Sequence, residues 1–280
     1  MLFCQQATGF ARLKGMESNM KKICLYYFSG TGMTKYVMDC LTDEIKKHNI
    51  SVDSHRIEDA IGTPIDLSSY CGLMIAYPTH SLNPPKIVAD FVKKLPKSSG
   101  MDVFIIYTCS ADASVNYASS NLIIKRLSRK GYNVSYNNLV EMPSNFANRY
   151  TDKQATQALI AANSTTALIA KEIAASKTHF MQPSFGIKVL SFFARIEWIG
   201  APIIGKFFYA EKDCVHCLKC VKNCPEKNIV MKRERIGFKL SCGICMRCVY
   251  QCEKNAIRIK WPFKFIRFDK WYDREMFKRD

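Results

Sequence analysis

The stretch Cys214-Val215-His216-Cys217-Leu218-Lys219-Cys220-Val221-Lys222-Asn223-Cys224-Pro225 has a second copy in this 280-residue chain. Cys242, Cys245, Cys248 and Cys252 repeat its C-x-x-C-x-x-C-x-x-x-C spacing, each 28 residues after its counterpart. The repeat continues past the cysteines: Ile229 and Met231 match Ile257 and Ile259, each in a short alternating stretch that reads as a strand. A duplicated unit of this kind predicts two halves packed about a pseudo-twofold axis.

Three thiolates two residues apart can wrap one face of an iron–sulfur cubane, whose remaining iron takes a cysteine from elsewhere. The distant cysteine of the other copy meets that need. With this pattern, the segment from about Ala210 to Lys260 resembles bacterial two-cluster ferredoxins. The resemblance implies two 4Fe-4S clusters with crossed ligation. Cys214, Cys217, Cys220 and Cys252 would bind one, and Cys242, Cys245, Cys248 and Cys224 the other. Glu253 departs from the pattern, standing where a proline often follows the last cysteine. Two Cys4 zinc sites are the alternative use of these residues, but zinc sites pair two short knuckles and leave the third cysteine and the x-x-x spacing unexplained. His216 reads as a surface residue or a donor toward cluster sulfur. Cys4, Cys24, Cys40, Cys71 and Cys109 show no ligand spacing, and for most of them core packing as small apolar residues is the default.

Upstream, Lys22 to Phe28 reads as a buried strand, and Met33, Val37, Leu41 and Ile45 then recur at helical spacing after the turn Ser29-Gly30-Thr31-Gly32. Further strands are predicted at Ser51 to Ile57, Leu73 to Tyr77, Val103 to Thr108 and Asn133 to Val140. Helices are predicted at Pro84 to Lys94, Val115 to Lys130 and Asp152 to Ser176. The alternation implies an α/β doubly wound parallel sheet. The stretch between Ile57 and Cys71 is too short and proline-interrupted for a full helix. In such a sheet ligands sit beyond the carboxyl ends of the strands, which draws attention to three loops: Ser29 to Thr34, Pro78 to Pro85 and Cys109 to Tyr117. The first leads into a helix N-terminus, where free N–H groups favour an anion; simple capping is the plainer use of such a turn. It lacks the Lys-Ser or Lys-Thr pair of a nucleotide P-loop, since Thr34 and Lys35 stand in the reverse order, and it lacks the dinucleotide fingerprint.

At these residues the segment from about Lys21 to Ser176 resembles the flavodoxin family. The resemblance implies that FMN is the cofactor, its phosphate bound by Ser29, Gly30, Thr31, Gly32, Met33 and Thr34. It further implies that Pro78, Thr79, His80, Ser81 and Leu82 flank the flavin ring on one side, and Cys109, Ser110, Ala111 and Asp112 on the other. Tyr77, His80 and Tyr117 are the aromatic candidates for the ring environment, or else anchors of their own loops. The whole arrangement resembles the flavodoxin-domain ferredoxin fusions of anaerobes: a flavodoxin-like doubly wound domain followed by a small α+β two-cluster ferredoxin domain.

The expected boundaries are an extension over 1–20, a flavodoxin-like domain over 21–178, a linker over 179–209, a ferredoxin domain over 210–260 and a basic aromatic tail over 261–280. Residues 1–20 read as a frayed extension, with a weak targeting segment as the alternative. The linker aromatics Phe185, Phe192, Phe193, Trp198, Phe207 and Phe208 are expected to cover an interdomain surface, the alternative being a membrane-facing helix.

The formal charge is +17, and from residue 181 onward 21 Lys and Arg face 10 Asp and Glu. No helix-turn-helix, zinc-finger or RNA-binding signature accompanies that charge, so no nucleic-acid partner is expected. The basic excess sits with the cysteines, where it can offset cluster charge and attract acidic redox partners such as a ferredoxin or an oxidoreductase. Charged residues interrupt the longest apolar stretch, Ile187 to Ala210, which excludes a span but leaves peripheral membrane contact open. A cytoplasmic, oxygen-poor setting and electron transfer between FMN, the clusters and external partners are the expectations. The alternatives are a flavin-dependent reductase of a small quinone or nitro acceptor, and a redox sensor; the oligomeric state is left open.

Overall fold

The computed structural model describes residues 21–110, 113–145 and 149–265. Its larger part is a five-stranded parallel sheet of β1 (Lys21–Tyr27), β2 (Ile50–Arg56), β3 (Gly72–Pro78), β4 (Asp102–Cys109) and β5 (Asn133–Glu141), in the order β2-β1-β3-β4-β5. β3 and β4 are buried almost throughout, the pattern of strands covered on both faces. Ile23, Leu25 and Tyr27 of β1 face one way with Met74 and Ala76, while Cys24 and Tyr26 face the other with Leu73, Ile75 and Tyr77.

The first of these layers is closed by α1 (Met33–Lys46), which buries Met33, Val37, Leu41 and Ile45, and by α5 (Asp152–Ala174). Helix α5 starts in a reciprocal cap between Thr151 and Gln154, satisfying two backbone donors that the first turn leaves free. The second layer is closed by α2 (Lys86–Lys94) and by a segment of three short pieces: α3 (Ala113–Asn116), a 3-10 turn (Tyr117–Ser120) and α4 (Asn121–Ser128). The sequence pattern predicts one helix over Val115 to Lys130. The break falls where the chain serves the sheet: Ser119 lends its carbonyl to the Tyr77 hydroxyl at 3.3 Å, and the Ser120 hydroxyl accepts from Asn137 Nδ2 at 2.7 Å. Between β2 and β3 only a 3-10 turn, Ile57–Asp59, is formed among the described residues, with Ile57 fully buried.

The strand order is that of the flavodoxin-like class, in which the chain reverses direction of winding between β1 and β3 and leaves a crevice at their carboxyl ends. The loops after β1, β3, β4 and β5 all open on that edge.

Two helices follow, α6 (Phe185–Ala194) and α7 (Glu197–Gly205). Ser184 caps α6 by accepting from the Ile187 amide. The pair is fastened to the sheet domain by Asn83, which donates to the Ser191 carbonyl at 2.8 Å and accepts from Arg195 Nε at 3.1 Å. The expectation that the aromatics here cover an interdomain surface is corrected for three of them. Phe185, Phe192 and Phe193 are exposed, because Ser191 is the residue that α6 turns inward. Trp198 packs against the sheet core, and Phe207 and Phe208 join the C-terminal core.

The C-terminal unit has strands β6 (Phe208–Ala210), β7 (Ile229–Lys232), β8 (Arg235–Phe238) and β9 (Ile257–Ile259), with one-turn helices α8 (Lys219–Lys222) and α9 (Arg247–Tyr250). β6 pairs antiparallel with β9, and β7 with β8. Each half therefore closes its sheets with a strand of the other. The repeat is carried by the backbone: left-handed residues recur as His216 and Ile244, Leu218 and Met246, and Lys227 and Asn255. Asn223 Nδ2 donates to Gln251 Oε1 at 2.7 Å, linking two equivalent positions. Phe208, Ile229, Phe238, Met246, Val249, Tyr250, Ile257 and Ile259 form the core between the halves.

Candidate cofactor sites at the domain boundary

A cleft lies at the carboxyl edge of the sheet. Ser29, Gly30, Thr31, Met33 and Thr34 line it from the first loop, Pro78, Thr79 and His80 from the second, and Cys109 and Ser110, with Thr108, from the third. All three loops singled out in the sequence thus meet at one place. Gly32 lies at its edge, with φ of 111° as the residue before α1, and offers that helix no side-chain cap of its own. Ser81 and Leu82, both in left-handed conformations, are outside the lining; the Leu82 carbonyl accepts from Ser191 Oγ at 3.1 Å. Ala111 and Asp112 lie outside the described residues.

Two parts of the lining were not assigned to this cleft in the sequence. Met142, Pro143 and Asn145 come from the loop after β5, and Cys245 comes from the C-terminal unit. The first was findable, since a loop after any strand of a parallel sheet opens on the same edge. The second depends on docking that no local pattern encodes.

Hydrogen bonds set the loop geometry. Ser29 Oγ accepts from the Lys35 amide at 3.2 Å, Asn145 Nδ2 donates to Thr31 Oγ1 at 2.6 Å, and the hydroxyls of Thr34 and Thr108 are 2.9 Å apart. Ser29 thus takes the Lys35 amide, and the Met33 and Thr34 amides at the start of α1 are left to an outside acceptor, with open space around Gly32 where a side chain would otherwise stand. Thr79 Oγ1 is buried in the cleft wall without a hydrogen-bond partner. Two free first-turn amides and an orphaned hydroxyl are features a phosphorylated ligand needs, so the residues present fit the phosphate end of FMN. His80 is the one ring side chain among the described lining residues. Its Nδ1 is 3.8 Å from Glu197 Oε1; burial holds its pKa below the usual imidazole range and the carboxylate opposes that. Tyr77 is fully buried in the sheet core.

The cysteine loops carry amides that point at sulfur. Asn228 N donates to Cys224 Sγ at 3.3 Å, and Ala256 N, its equivalent, to Cys252 Sγ at 3.2 Å. Ile244 N donates to Cys242 Sγ at 3.4 Å. Such bonds stabilise thiolate over thiol. Burial works against them, pushing Cys220 and Cys245 up to about 11 and Cys242 up to about 12, with neighbouring cysteines adding to the rise at Cys220 and Cys242. With no cationic centre bound, burial favours the neutral thiol at these positions. Among the described residues no group of three His, Cys, Asp or Glu converges as around a single ion. A cubane is a wider object whose thiolates each bind a different iron, and the crossed halves suit it.

The two units touch where the cleft meets the second cysteine loop. A Cβ on Gly30 would stand 2.0 Å from the Cys245 carbonyl oxygen, so only glycine permits this approach. Arg247 crosses the boundary: Nη2 donates to the Ser29 carbonyl at 2.7 Å, Nη1 lies 2.5 Å from Glu58 Oε1, and the guanidinium sits 5.5 Å from the Phe28 ring centroid. The Glu58 side chain is buried, and its charge is met by Arg247 and, at 4.0 Å, by Arg56 Nε. Tyr250 OH donates to the Asn145 carbonyl at 3.3 Å.

Residues 206–271 match the family model described as a 4Fe-4S dicluster domain. A comparison with curated proteins finds no match. Solved structures similar to the chain include a flavodoxin from the domain Archaea, with 16% identity over 54% of this chain and 99% of that one and a TM-score of 0.34. Flavodoxin 1 from Bacillus cereus gives 18% identity over 52% and 97%, with a TM-score of 0.35. General stress protein 14 from Treponema denticola, in complex with FMN, gives 9% over 55% and 99%, with a TM-score of 0.39. By its own strand order and by the family match of its cysteine repeat, the chain joins a flavodoxin-like domain to a ferredoxin-type 4Fe-4S dicluster domain.

Proposed function

We propose that the chain is an electron-transfer protein that holds FMN in the cleft and two 4Fe-4S clusters on its crossed cysteine loops, and connects them to external redox partners. The observation that carries this reading is Cys245, a cluster ligand by motif, standing in the wall of the cleft beside the phosphate loop. When bound, FMN supplies exchange of one or two electrons, and each cluster exchange of one.

The residues divide the work. Ser29, Thr31 and Thr34 shape the loop before α1, and the Met33 and Thr34 amides with the Thr79 hydroxyl bind the phosphate. Met33, Met142 and Pro143 offer apolar walls to the ring system. Gly30 admits the Cys245 loop, and Arg247 locks it there through Ser29 and Glu58. Cys242, Cys245, Cys248 and Cys224 thus hold the inner cluster, and Cys214, Cys217, Cys220 and Cys252 the outer one. Cys217 is exposed, and Lys212, Lys219, Lys222 and Lys254 around it are exposed as well, a surface suited to an acidic protein partner.

Iron, acid-labile sulfide, zinc and flavin contents of protein purified without oxygen test this directly. The reading expects about eight iron and eight sulfide with one FMN per chain. Zinc in place of iron, or iron with no affinity for FMN, would overturn it.

A further inference from the structure

Phe185, Val189, Phe192, Ile196, Ile199 and Ile203 are spaced four, three, four, three and four residues apart, the period of one helix face. Phe185, Val189 and Phe192 lie on α6, Ile199 and Ile203 on α7, and Ile196 in the turn between them. In an ordinary surface helix the periodic apolar face is the buried one. Here it is outside: Phe185 is 81% exposed, Ile196 72% and Ile199 70%, while the inward positions are Ser191, Ala201 and Gly205. The small inward residues let the helices lie close against both units, and Gly205 packs on Cys242. Nothing in the described chain covers the outer face.

The composition of this face decides between occupants. Protein interfaces carry about one hydrogen bond per 100–200 Å² and a polar rim, whereas all six stripe positions are hydrocarbon. Lys188 is exposed between the first two stripe residues. The last 100 residues, 181–280, which contain the stripe, are strongly basic, with 21 Lys and Arg against 10 Asp and Glu. An apolar helix face in a basic setting matches the interface of an anionic bilayer. No helix of the described residues is long and apolar enough to cross a membrane, so insertion would be in the plane of the surface.

We propose that α6 and α7 form an in-plane anchor that docks this protein on anionic membrane surfaces through the stripe from Phe185 to Ile203. The anchor leaves the cysteine loops and the cleft unaltered and stands whether or not FMN is the cleft ligand.

The test is co-sedimentation of the full, anaerobically purified chain with vesicles of phosphatidylcholine containing about one-third phosphatidylglycerol. Binding is expected, weakened at least about tenfold by the double substitution F192S/I196S and by pure phosphatidylcholine, and reduced by raised salt. I199S, further along the stripe, serves as the second variant; both variants should keep the cluster absorbance of the parent. No binding to the anionic vesicles, or binding untouched by F192S/I196S and I199S, overturns the proposal. So does a dimer in solution that the same substitutions convert to monomer, since the face would then belong to a second copy.

Discussion

Arg247 and Lys219 occupy the same position in the two cysteine loops, 28 residues apart, and their surroundings have nothing in common. Arg247 is 5% exposed and pairs with a buried Glu58 across the domain boundary. Lys219 pairs with Glu253 within the C-terminal unit, and both are in solvent. The cysteines follow the same division, with Cys245 in the cleft wall and Cys217 exposed. Duplication supplies two equal ligand scaffolds, and docking makes them unequal. One loop faces the flavodoxin-like domain and the other faces out, which gives a two-cluster unit an inside and an outside.

The largest expected contrast is between C245S and C217S. Each should lose one cluster's worth of iron. C245S should also slow transfer between the cleft and the clusters by about a hundredfold or more, because the nearer centre is disturbed. C217S should spare that step and depress delivery to an external acceptor. Flash or stopped-flow spectroscopy separates the two steps, and equal effects on the inner step would erase the proposed polarity.

The paired charges come next. R247M leaves the buried Glu58 with only the more distant Arg56, 4.0 Å away, a change that costs up to about 3–5 kcal/mol in stability. K219M removes an exposed pair and should cost less than about 1 kcal/mol. Urea unfolding of both variants measures the difference, and E58Q added to R247M should recover most of the loss. Comparable losses from K219M and R247M would contradict the burial argument.

Two glycines sharpen the comparison further. A methyl at Gly30 collides with the Cys245 backbone, whereas at Gly186 on α6 it meets nothing within 4 Å. G30A should therefore separate the units and weaken FMN binding, read by flavin titration, while G186A leaves it unchanged. A normal FMN affinity in G30A would mean that the contact is dispensable.

The smallest effect concerns pH. His80, its pKa depressed by burial, stays neutral in the fold where the unfolded chain is already protonated. The unfolded state then binds more protons below about pH 6.5, so this contribution to stability is present above that pH and is lost on acidification. The thermal midpoint should fall between neutral and mildly acidic pH, with a shallower slope in H80Q. An unchanged slope in H80Q would remove His80 from the account.

What the sequence made legible follows from the range of the forces involved. The cysteine loops were readable because cluster chemistry dictates ligand spacing within a dozen residues, and the β1-turn-α1 unit because a strand, a small-residue turn and a helix are local. Parallel strands showed as apolar runs, and their common carboxyl edge brought Ser29, Thr79 and Cys109 together as expected. The Cys245 wall, the Arg247–Glu58 pair and the break at Ser119 were not readable, since each is fixed by a partner far along the chain. The exposed face of α6 was read the wrong way round. Apolar periodicity marks a face, and only packing tells whether that face is covered.

The central claim is that the cleft and the inner cysteine loop form one electron-transfer unit. It is tested most directly by photoreducing the bound flavin and following the visible absorbance of the clusters over a range of protein concentrations. The account predicts first-order bleaching of the clusters at a rate independent of protein concentration. A rate proportional to concentration would show transfer between molecules and contradict it.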